Sequence, residues 1–240
     1  VLCGGIAAFV ASKYRENLEE VINQIQRNNE VKSIFGQHVS PAVAERLMSE
    51  AGLPETETKH VAIMFLDIRG FTAFSEGREP SEVVAFLNSV FGFMIEQVNS
   101  HDGVINKFLG DGFMAVFGAP LSDDSCSKKA IKAALAIHET LESKKRVGEI
   151  IGFEIGIGIH CGSVVTGNVG SEERKEFTII GDVVNVASRI ETQNKPLGTN
   201  ILVSDDVWVE ADLESEVSGM PIEDVQLSGR RERVTLFQLK

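Results

Sequence analysis

The sequence has few cysteines, and this scarcity excludes one class of small stapled proteins. Its three cysteines, Cys3, Cys126 and Cys161, are odd in number, widely spaced and free of any C-x-x-C pair. A disulfide framework is therefore not indicated, and a reducing compartment is favoured. No cluster of histidine and cysteine in the sequence predicts a zinc site.

Positive charge is also scarce. Lys and Arg number 23 against 35 Asp and Glu, for a formal net charge of −12. No nucleic-acid partner is expected, because such a protein needs a basic excess to neutralise phosphates along a groove. A nucleotide substrate is not excluded, since metal ions and a few donors can hold its phosphates. The chain has no Walker loop, G-x-x-x-x-G-K-[ST], so the phosphates would be held in another way.

The apolar run at the start of the chain is too short to cross a bilayer, which needs about 20 apolar residues. Residues 1–11 are apolar and uncharged, and Lys13 and Arg15 follow. We predict that residues 1–12 are the inner end of a truncated transmembrane helix. The basic residues would then place the remainder at the cytoplasmic face of the membrane. The alternatives are an exposed apolar tail and a helix buried on a partner.

Residues 13–36 are predicted to form a helical linker, because no proline occurs there and no glycine precedes Gly36. Barely two heptads precede Asn28, so two readings stay open: a parallel, coiled-coil signalling helix, or a helix packed on its own domain. Residues 37–59 are assigned to a lead-in helix, capped by Ser40-Pro41, and a polar linker. The main domain is predicted to begin at His60.

From residue 60 onward, strand and helix patterns alternate. The order strand-helix-strand-strand-helix-strand is the ferredoxin-like βαββαβ arrangement of an α+β protein, here with extra C-terminal elements. The tight turn at 109–112 predicts a hairpin. The predicted strands are 61–68, 104–108, 113–117, 153–160, 201–204 and 234–239, and the predicted helices are 80–100, 125–144 and 182–192.

Two aspartates are the strongest candidates for chemistry. Asp67 ends the apolar run that starts at Val61, and Asp111 lies in the turn Leu109-Gly-Asp-Gly112. A carboxylate at the mouth of a buried strand and a second in a glycine-flanked turn are typical of a paired divalent-metal site, because carboxylate oxygens suit Mg²⁺ and Mn²⁺. Either aspartate alone is more often a turn residue or a helix cap.

Two further segments carry polar groups suited to a nucleotide. Gly70 follows Asp67 closely and allows a backbone to approach a ligand, and successive N–H groups in a turn before a helix suit a triphosphate. Asn185 and Arg189 stand at i and i+4 of a predicted helix and share one face. Arginine is a strong donor to phosphoryl oxygens. The alternative for this pair is a solvated polar helix face.

Together these segments resemble the class III nucleotidyl cyclase catalytic domain. Three motifs occur in the right order, which makes the resemblance specific. It covers residues 60–239, and residues 35–47 are similar to the lead-in segment of bacterial members. The motifs are Phe65-Leu-Asp-Ile-Arg-Gly-Phe-Thr72, Lys107-Phe-Leu-Gly-Asp111 and Gly181-Asp-Val-Val-Asn-Val-Ala-Ser-Arg189.

The resemblance implies an adenylate cyclase, a phosphorus-oxygen lyase that converts ATP to 3′,5′-cyclic AMP and pyrophosphate. It implies two Mg²⁺ or Mn²⁺ ions per site and an antiparallel homodimer, in which one protomer supplies the metal carboxylates and the other the purine and transition-state groups. The implied metal ligands are Asp67, Asp111 and the Ile68 carbonyl; the catalytic residues are Asn185 and Arg189; the substrate contacts are Gly70, Phe71, Thr72, Lys107, Thr178 and Arg230.

The base preference follows from hydrogen-bond chemistry at two of these positions. Lys107 can donate to adenine N1, and the Thr178 hydroxyl can accept from the 6-amino group. Guanine-selecting members usually carry an acidic residue at the lysine position, so Lys107 favours ATP. Threonine at 178 resembles the subgroup that includes bicarbonate-responsive cyclases, which makes bicarbonate activation an expectation.

Three other functions are alternatives to the adenylate cyclase interpretation. They are a guanylyl cyclase, a degenerate cyclase domain that binds nucleotide and relays a signal, and a structural dimerisation module. The complete set Asp67, Asp111, Asn185 and Arg189 weighs against the degenerate domain. The chain departs from some relatives by having no arginine just before Gly158-Ile-His160, so no phosphate contact is expected from that strand.

Overall fold

The computed structural model describes residues 56–120, 122–150, 152–170 and 175–240. The predictions for residues 1–12 and 13–36, and for the lead-in helix, lie outside this part of the chain. Among the helices that are described, none has the length and hydropathy to cross a bilayer.

Strands and helices alternate along the described chain much as the sequence predicts. The strands are β1 (Thr56–Arg69), β2 (Gly103–Phe108), β3 (Gly112–Phe117), β4 (Glu154–Gly170), β5 (Lys175–Ile180), β6 (Ile201–Ser204), β7 (Gly219–Gln226) and β8 (Arg233–Leu239). The helices are α1 (Phe71–Ser75), α2 (Pro80–Ser100), α3 (Cys126–Arg146), α4 (Asp182–Leu197) and α5 (Asp205–Ala211).

One sheet holds all of these strands. Its order is β2-β3-β1-β4-β6-β8-β7, and β5 pairs with the far end of β4. The first four strands, joined through α2 and α3, form the antiparallel ferredoxin-like unit, so the predicted α+β fold with C-terminal additions is confirmed. β1 lies in the centre of this unit, between β3 and β4.

Alternate residues of β1 are buried in two different layers. Ala62, Met64 and Leu66 belong to the main core, which α2 and α3 cover. Val61 and Ile63 point to the opposite face and pack beneath α4 in a second core. Because side chains alternate along a strand, every odd-numbered position of β1, including the one at which the apolar run ends, lies on the α4 side.

Glycines in β4 let α4 lie directly on the sheet. A Cβ at Gly158 would clash with the backbone N of Glu191 and would lie 2.7 Å from the Ala187 carbonyl oxygen. At Gly162, a Cβ would lie 2.8 Å from the Val183 side chain. The alternation of glycine and isoleucine in β4 therefore has a structural cause: the glycines admit a helix backbone on one face, and the isoleucines fill the main core on the other.

The observed boundaries correct several predictions. β1 begins at Thr56, so residues 56–59, predicted as linker, are part of the sheet and the domain starts before His60. β4 continues ten residues past the predicted end at residue 160, because it keeps β1 as a partner up to Gly167. α4 extends to Leu197 and ends at Gly198, whose φ of 65° gives a left-handed cap. The elements β5, α5 and β7 were not predicted, and the helix after Gly70 was predicted without its bounds.

The packing of α4 on β4 predicts a large difference between two glycine substitutions. Gly158→Ala should lower the free energy of unfolding by about 2–3 kcal/mol, because its methyl group has no room. The matched control is Gly92→Ala, in the middle of α2, where a Cβ meets nothing within 4 Å. It should raise the stability by about 0.5–1 kcal/mol, because alanine favours a helix. Urea unfolding of both variants measures this; equal effects would contradict the packing.

Candidate active site

The structure places the two predicted metal aspartates next to each other. Asp67 is paired with Gly112 across the β1–β3 ladder, and Asp111 immediately precedes that glycine. A Cβ at Gly112 would clash with the Leu66 carbonyl oxygen and would lie 3.2 Å from the Asp67 Cα. Glycine at 112 therefore allows the hairpin turn to approach the end of β1, which brings two carboxylates from distant parts of the chain to one place.

This arrangement makes ionisation of the Asp67 carboxylate less favourable. Its partial burial raises its pKa to about 6, and the negative charge of Asp111 adds to the shift. The Ile68 backbone N–H, which hydrogen-bonds the carboxylate, and the nearby Arg69 oppose the rise. A divalent cation between the two aspartates would relieve their repulsion, so the residues present fit a site for Mg²⁺ or Mn²⁺.

A third carboxylate, not predicted from the sequence, belongs to this site. Gly156 is the partner of Asp67 across the β1–β4 ladder, and a Cβ at Gly156 would clash with Glu191 Oε1. Glu191 is thus held by α4 above the strand beside Asp67. Burial raises its pKa to about 7, and the charges of Asp67 and Asp111 act in the same direction. Glu191 is only two residues from the predicted catalytic residue Arg189, but the sequence spacing did not indicate that it belongs to the site. Its packing over Gly156 places it there.

Arg69 is the cation that compensates these three acids. It follows Asp67 by two residues and lies on the same face of β1. Its guanidinium donates to the Thr199 carbonyl oxygen, and its positive charge lowers the pKa of both Asp67 and Glu191. Three carboxylates against one guanidinium leave a net negative charge, which favours cations at this end of β1.

The turn after β1 has the predicted form. Gly70 adopts φ 73°, a left-handed conformation that suits glycine, and precedes the single-turn helix α1. Its carbonyl oxygen accepts a hydrogen bond from the Phe74 N–H at 3.0 Å. Phe71 is partly buried, whereas Thr72 is exposed. The turn therefore leads from the acidic cluster into a helix, as the sequence predicts, with open space above Gly70.

Of the two predicted purine-contacting residues, Thr178 lies far from the aspartate pair, whereas Lys107 is opposite Met114, the partner of Phe65 near the same end of β1. Thr178 on β5 is opposite Gly167, which in turn is opposite Thr56 at the start of β1. That point is eleven positions from Asp67, which corresponds to roughly 35 Å of extended chain. Lys107 is exposed on the edge strand β2, two strands from β1. Within one chain, Thr178 cannot reach a nucleotide that is bound at Asp67.

The predicted catalytic pair occupies the solvent side of α4. Asn185 is exposed, and the Arg189 guanidinium lies against Gly229 in the β7–β8 connection, with Nη2 3.4 Å from where a Cβ would stand. Arg230, in the same connection, contacts the Asp182 carboxylate at the start of α4. The structure therefore groups Arg189 and Arg230 near one loop, apart from the carboxylates.

Comparisons with known proteins agree with this architecture. Residues 53–240 match the family model described as the adenylate and guanylate cyclase catalytic domain. The chain is similar to "Adenylate cyclase 1" of Rhizobium meliloti (strain 1021), with 40% identity over 184 residues that cover 75% of this chain and 27% of that protein. An uncharacterised protein of Mycobacterium tuberculosis (strain ATCC 25618 / H37Rv) is 39% identical over 166 residues, which cover 69% of this chain and 30% of that one.

Two solved structures have the same fold. The adenylyl cyclase CyaB from P. aeruginosa superposes with a TM-score of 0.68 at 28% identity, covering 78% of this chain and 96% of that one. The guanylyl cyclase Cya2 superposes with a TM-score of 0.66 at 33% identity, covering 78% of this chain and 94% of that one. The matched segment spans only about a third of the curated relatives, so it corresponds to one part of longer proteins.

The environment of Glu191 predicts a pH-dependent effect of its replacement. The folded-state pKa is raised from 4.5 to about 7, so its protonation stabilises the fold, and this stabilisation is lost as the pH rises through 7. Glu191→Gln cannot ionise. In EDTA it should therefore raise the free energy of unfolding by on the order of 1–2 kcal/mol at about pH 8, and by little below pH 4.5.

Denaturant unfolding of wild type and Glu191→Gln at both pH values measures this effect. The control is Glu96→Gln on the exposed face of α2, which should behave like wild type at both. A stabilisation by Glu191→Gln that is the same at both pH values would show that the charge of Glu191 is not its cause.

Proposed function

Because the chain belongs to the adenylate and guanylate cyclase catalytic domain family, we propose that it is an adenylyl cyclase that forms 3′,5′-cyclic AMP and pyrophosphate from ATP. The observation that carries this proposal is the meeting of Asp67 and Asp111 at the end of β1, far along the sheet from Thr178. The reaction is the attack of the ATP 3′-hydroxyl on the α-phosphorus, with pyrophosphate as the leaving group.

Asp67 and Asp111 would hold two Mg²⁺ or Mn²⁺ ions, with the Ile68 carbonyl as a further ligand. When bound, such ions lower the pKa of an attacking hydroxyl and shield charge on the phosphates. Two groups of the chain favour the ionised form of Asp67, which is the form that binds a cation. They are the Ile68 N–H and the Arg69 guanidinium. The turn at Gly70 offers backbone N–H groups and open space to the triphosphate.

The distance between the aspartates and Thr178 supports a homodimer. A nucleotide at Asp67 of one protomer would take its purine contacts from Lys107 and Thr178 of the second. In a twofold-symmetric, antiparallel pair, the same surface is used twice and two equivalent sites result. Asn185 is exposed and Arg189 partly buried on one face of α4, and they would reach the ribose and the transferring phosphate of the site on the partner's aspartates.

The exposed Lys107 supports ATP as the substrate. Its ammonium group can donate to adenine N1, whereas guanine presents an N1–H donor that would oppose it. Thr178 is partly buried on β5 and can accept from the adenine amino group. The similarity to "Adenylate cyclase 1" of Rhizobium meliloti agrees with this choice, whereas the similarity to the guanylyl cyclase Cya2 makes the base preference a point for measurement.

The homodimer predicts rescue between two inactive variants. Asp67→Asn and Arg189→Ala should each lose at least 100-fold in activity, an expectation of about 3 kcal/mol for a transition-state charge contact. In a dimer formed from one chain of each, one site has both wild-type residues. An equimolar mixture should therefore recover about one quarter of the wild-type rate, because about half of the dimers are mixed and each has one of two sites intact.

The rescue is measured as cyclic AMP formed from Mn-ATP after the two variants are mixed and allowed to exchange chains. Asp102→Asn, at an exposed position away from the site, is the control for aspartate replacement and should retain full activity. No rescue in a mixture that demonstrably contains mixed dimers would mean that each chain builds its own site.

The proposed role of Lys107 predicts a change in base preference. Lys107→Glu removes the donor to adenine N1 and supplies an acceptor for guanine N1–H. It should lower kcat/KM for ATP by at least 10-fold, about 1.4 kcal/mol, and raise the ratio of GTP to ATP turnover. Rates with both nucleotides are compared in wild type, Lys107→Glu and the control Lys107→Gln, which keeps a donor. A wild type that prefers GTP would assign the chain to the guanylyl cyclases.

A further inference from the structure

A second group of metal-ligating side chains lies on the other face of the sheet. His60 near the start of β1, Cys161 on β4, Cys126 at the start of α3 and Glu210 on α5 converge there. Cys126 and Cys161 belong to the main core, on the side of the sheet opposite α4. His60 is seven positions from Asp67, roughly 20 Å along β1, so this cluster is separate from the acidic site.

The Glu210 carboxylate is the centre of the cluster. Its Oε2 lies 2.7 Å from His60 Nε2 and 3.4 Å from Cys161 Sγ. Its Oε1 accepts from the Ser127 hydroxyl at 2.8 Å and lies 3.5 Å from Cys126 Sγ. The ligand atoms of His60, Cys161 and Glu210 all lie within 4.8 Å of one another. No ordinary hydrophobic packing requires a histidine, two thiols and a carboxylate to share this space.

The donor types match one class of cation. Imidazole nitrogen, thiolate sulfur and carboxylate oxygen are the ligands of Zn²⁺, at about 2.0–2.3 Å. In a tetrahedral site such ligand atoms lie roughly 3.3–3.8 Å apart. The contact of Glu210 Oε2 with Cys161 Sγ already has this length, and the His60–Glu210 contact would lengthen by less than about 1 Å. Hard cations such as Mg²⁺ prefer oxygen ligands to thiolate, so they would not compete with Zn²⁺ for this cluster.

One side of the cluster is accessible to solvent. The side chain of His60 is 49% exposed and that of Glu210 28%, whereas both cysteines are buried. An ion from solvent would therefore meet the histidine and the carboxylate first, with the Cys161 thiol buried behind them.

We propose that His60, Cys161 and Glu210 bind a Zn²⁺ ion, with the fourth position open to water. The ion would link α5 to the paired strands β1 and β4 at this corner. Because it would bind the folded chain and not the unfolded one with this geometry, it would stabilise the domain in proportion to its concentration. The proposed cyclase reaction uses none of these three residues.

Cobalt substitution tests this site directly. The full chain carrying Asp67→Asn, which weakens the acidic site, is freed of metal, reduced and titrated with Co²⁺ in excess Mg²⁺. One equivalent should give tetrahedral d–d bands and a thiolate-to-cobalt charge-transfer band, and one equivalent of Zn²⁺ should abolish both. Cys161→Ser should remove the charge-transfer band or reduce it at least fivefold. Ser127→Ala, which deletes a neighbour of Glu210 but no ligand, should retain it.

A second measurement covers the case in which Cys161→Ser does not fold. Zn²⁺ should raise the Tm of wild type, and His60→Gln, at a half-exposed position, should lose most of that rise. The proposal is wrong if Co²⁺ gives no charge-transfer band, if the band survives Cys161→Ser, or if Zn²⁺ shifts the Tm of His60→Gln as much as that of wild type. Because the spectra are recorded on Asp67→Asn, their outcome is independent of whether the chain cyclises ATP.

Discussion

The register of β1 between its two neighbours is the constraint on which the candidate site depends. Asp67 is opposite Gly112 on one side and Gly156 on the other. The first glycine lets the hairpin turn bring Asp111 close, and the second lets α4 place Glu191 above the strand. A slip of one residue would turn Asp67 into the apolar core beneath α2 and α3, because neighbouring side chains of a strand face opposite ways. The main core and the acidic site therefore fix the same register.

This arrangement stores electrostatic repulsion in the folded chain. Three carboxylates share one guanidinium, and the pKa values of Asp67 and Glu191 are both raised, first by burial and then by their acidic neighbours. Such repulsion costs stability in the absence of cations and is relieved when they bind, which couples metal binding to the fold. Thr178 lies far along the sheet from this cluster, which is the reason for our proposal that each protomer contributes one half to each of two sites.

Local patterns in the sequence were enough to predict the ferredoxin-like unit. The apolar run ending at Asp67, the turn at Leu109–Gly112 and the helix at Pro80–Ser100 are encoded by neighbouring residues. The continuation of β4 depends on pairing with the distant strand β1, and β5 pairs with that continuation. The sequences of both segments carry no clear period. Glu191 enters the site only because α4 packs on glycines, and the residues at 60, 126, 161 and 210 converge from four elements. No spacing rule could have found that cluster, and the sequence predicted no zinc site.

The predictions of membrane attachment and bicarbonate activation stay predictions, and they do not bear on the central claim that ATP is cyclised between two chains. That claim is tested most directly by the rate of cyclic AMP formation from Mn-ATP per milligram of protein, measured over a wide range of protein concentration. We predict a specific activity that rises with concentration and levels off as dimers form. A specific activity that is the same at every concentration, in a protein shown to be monomeric throughout, would contradict it.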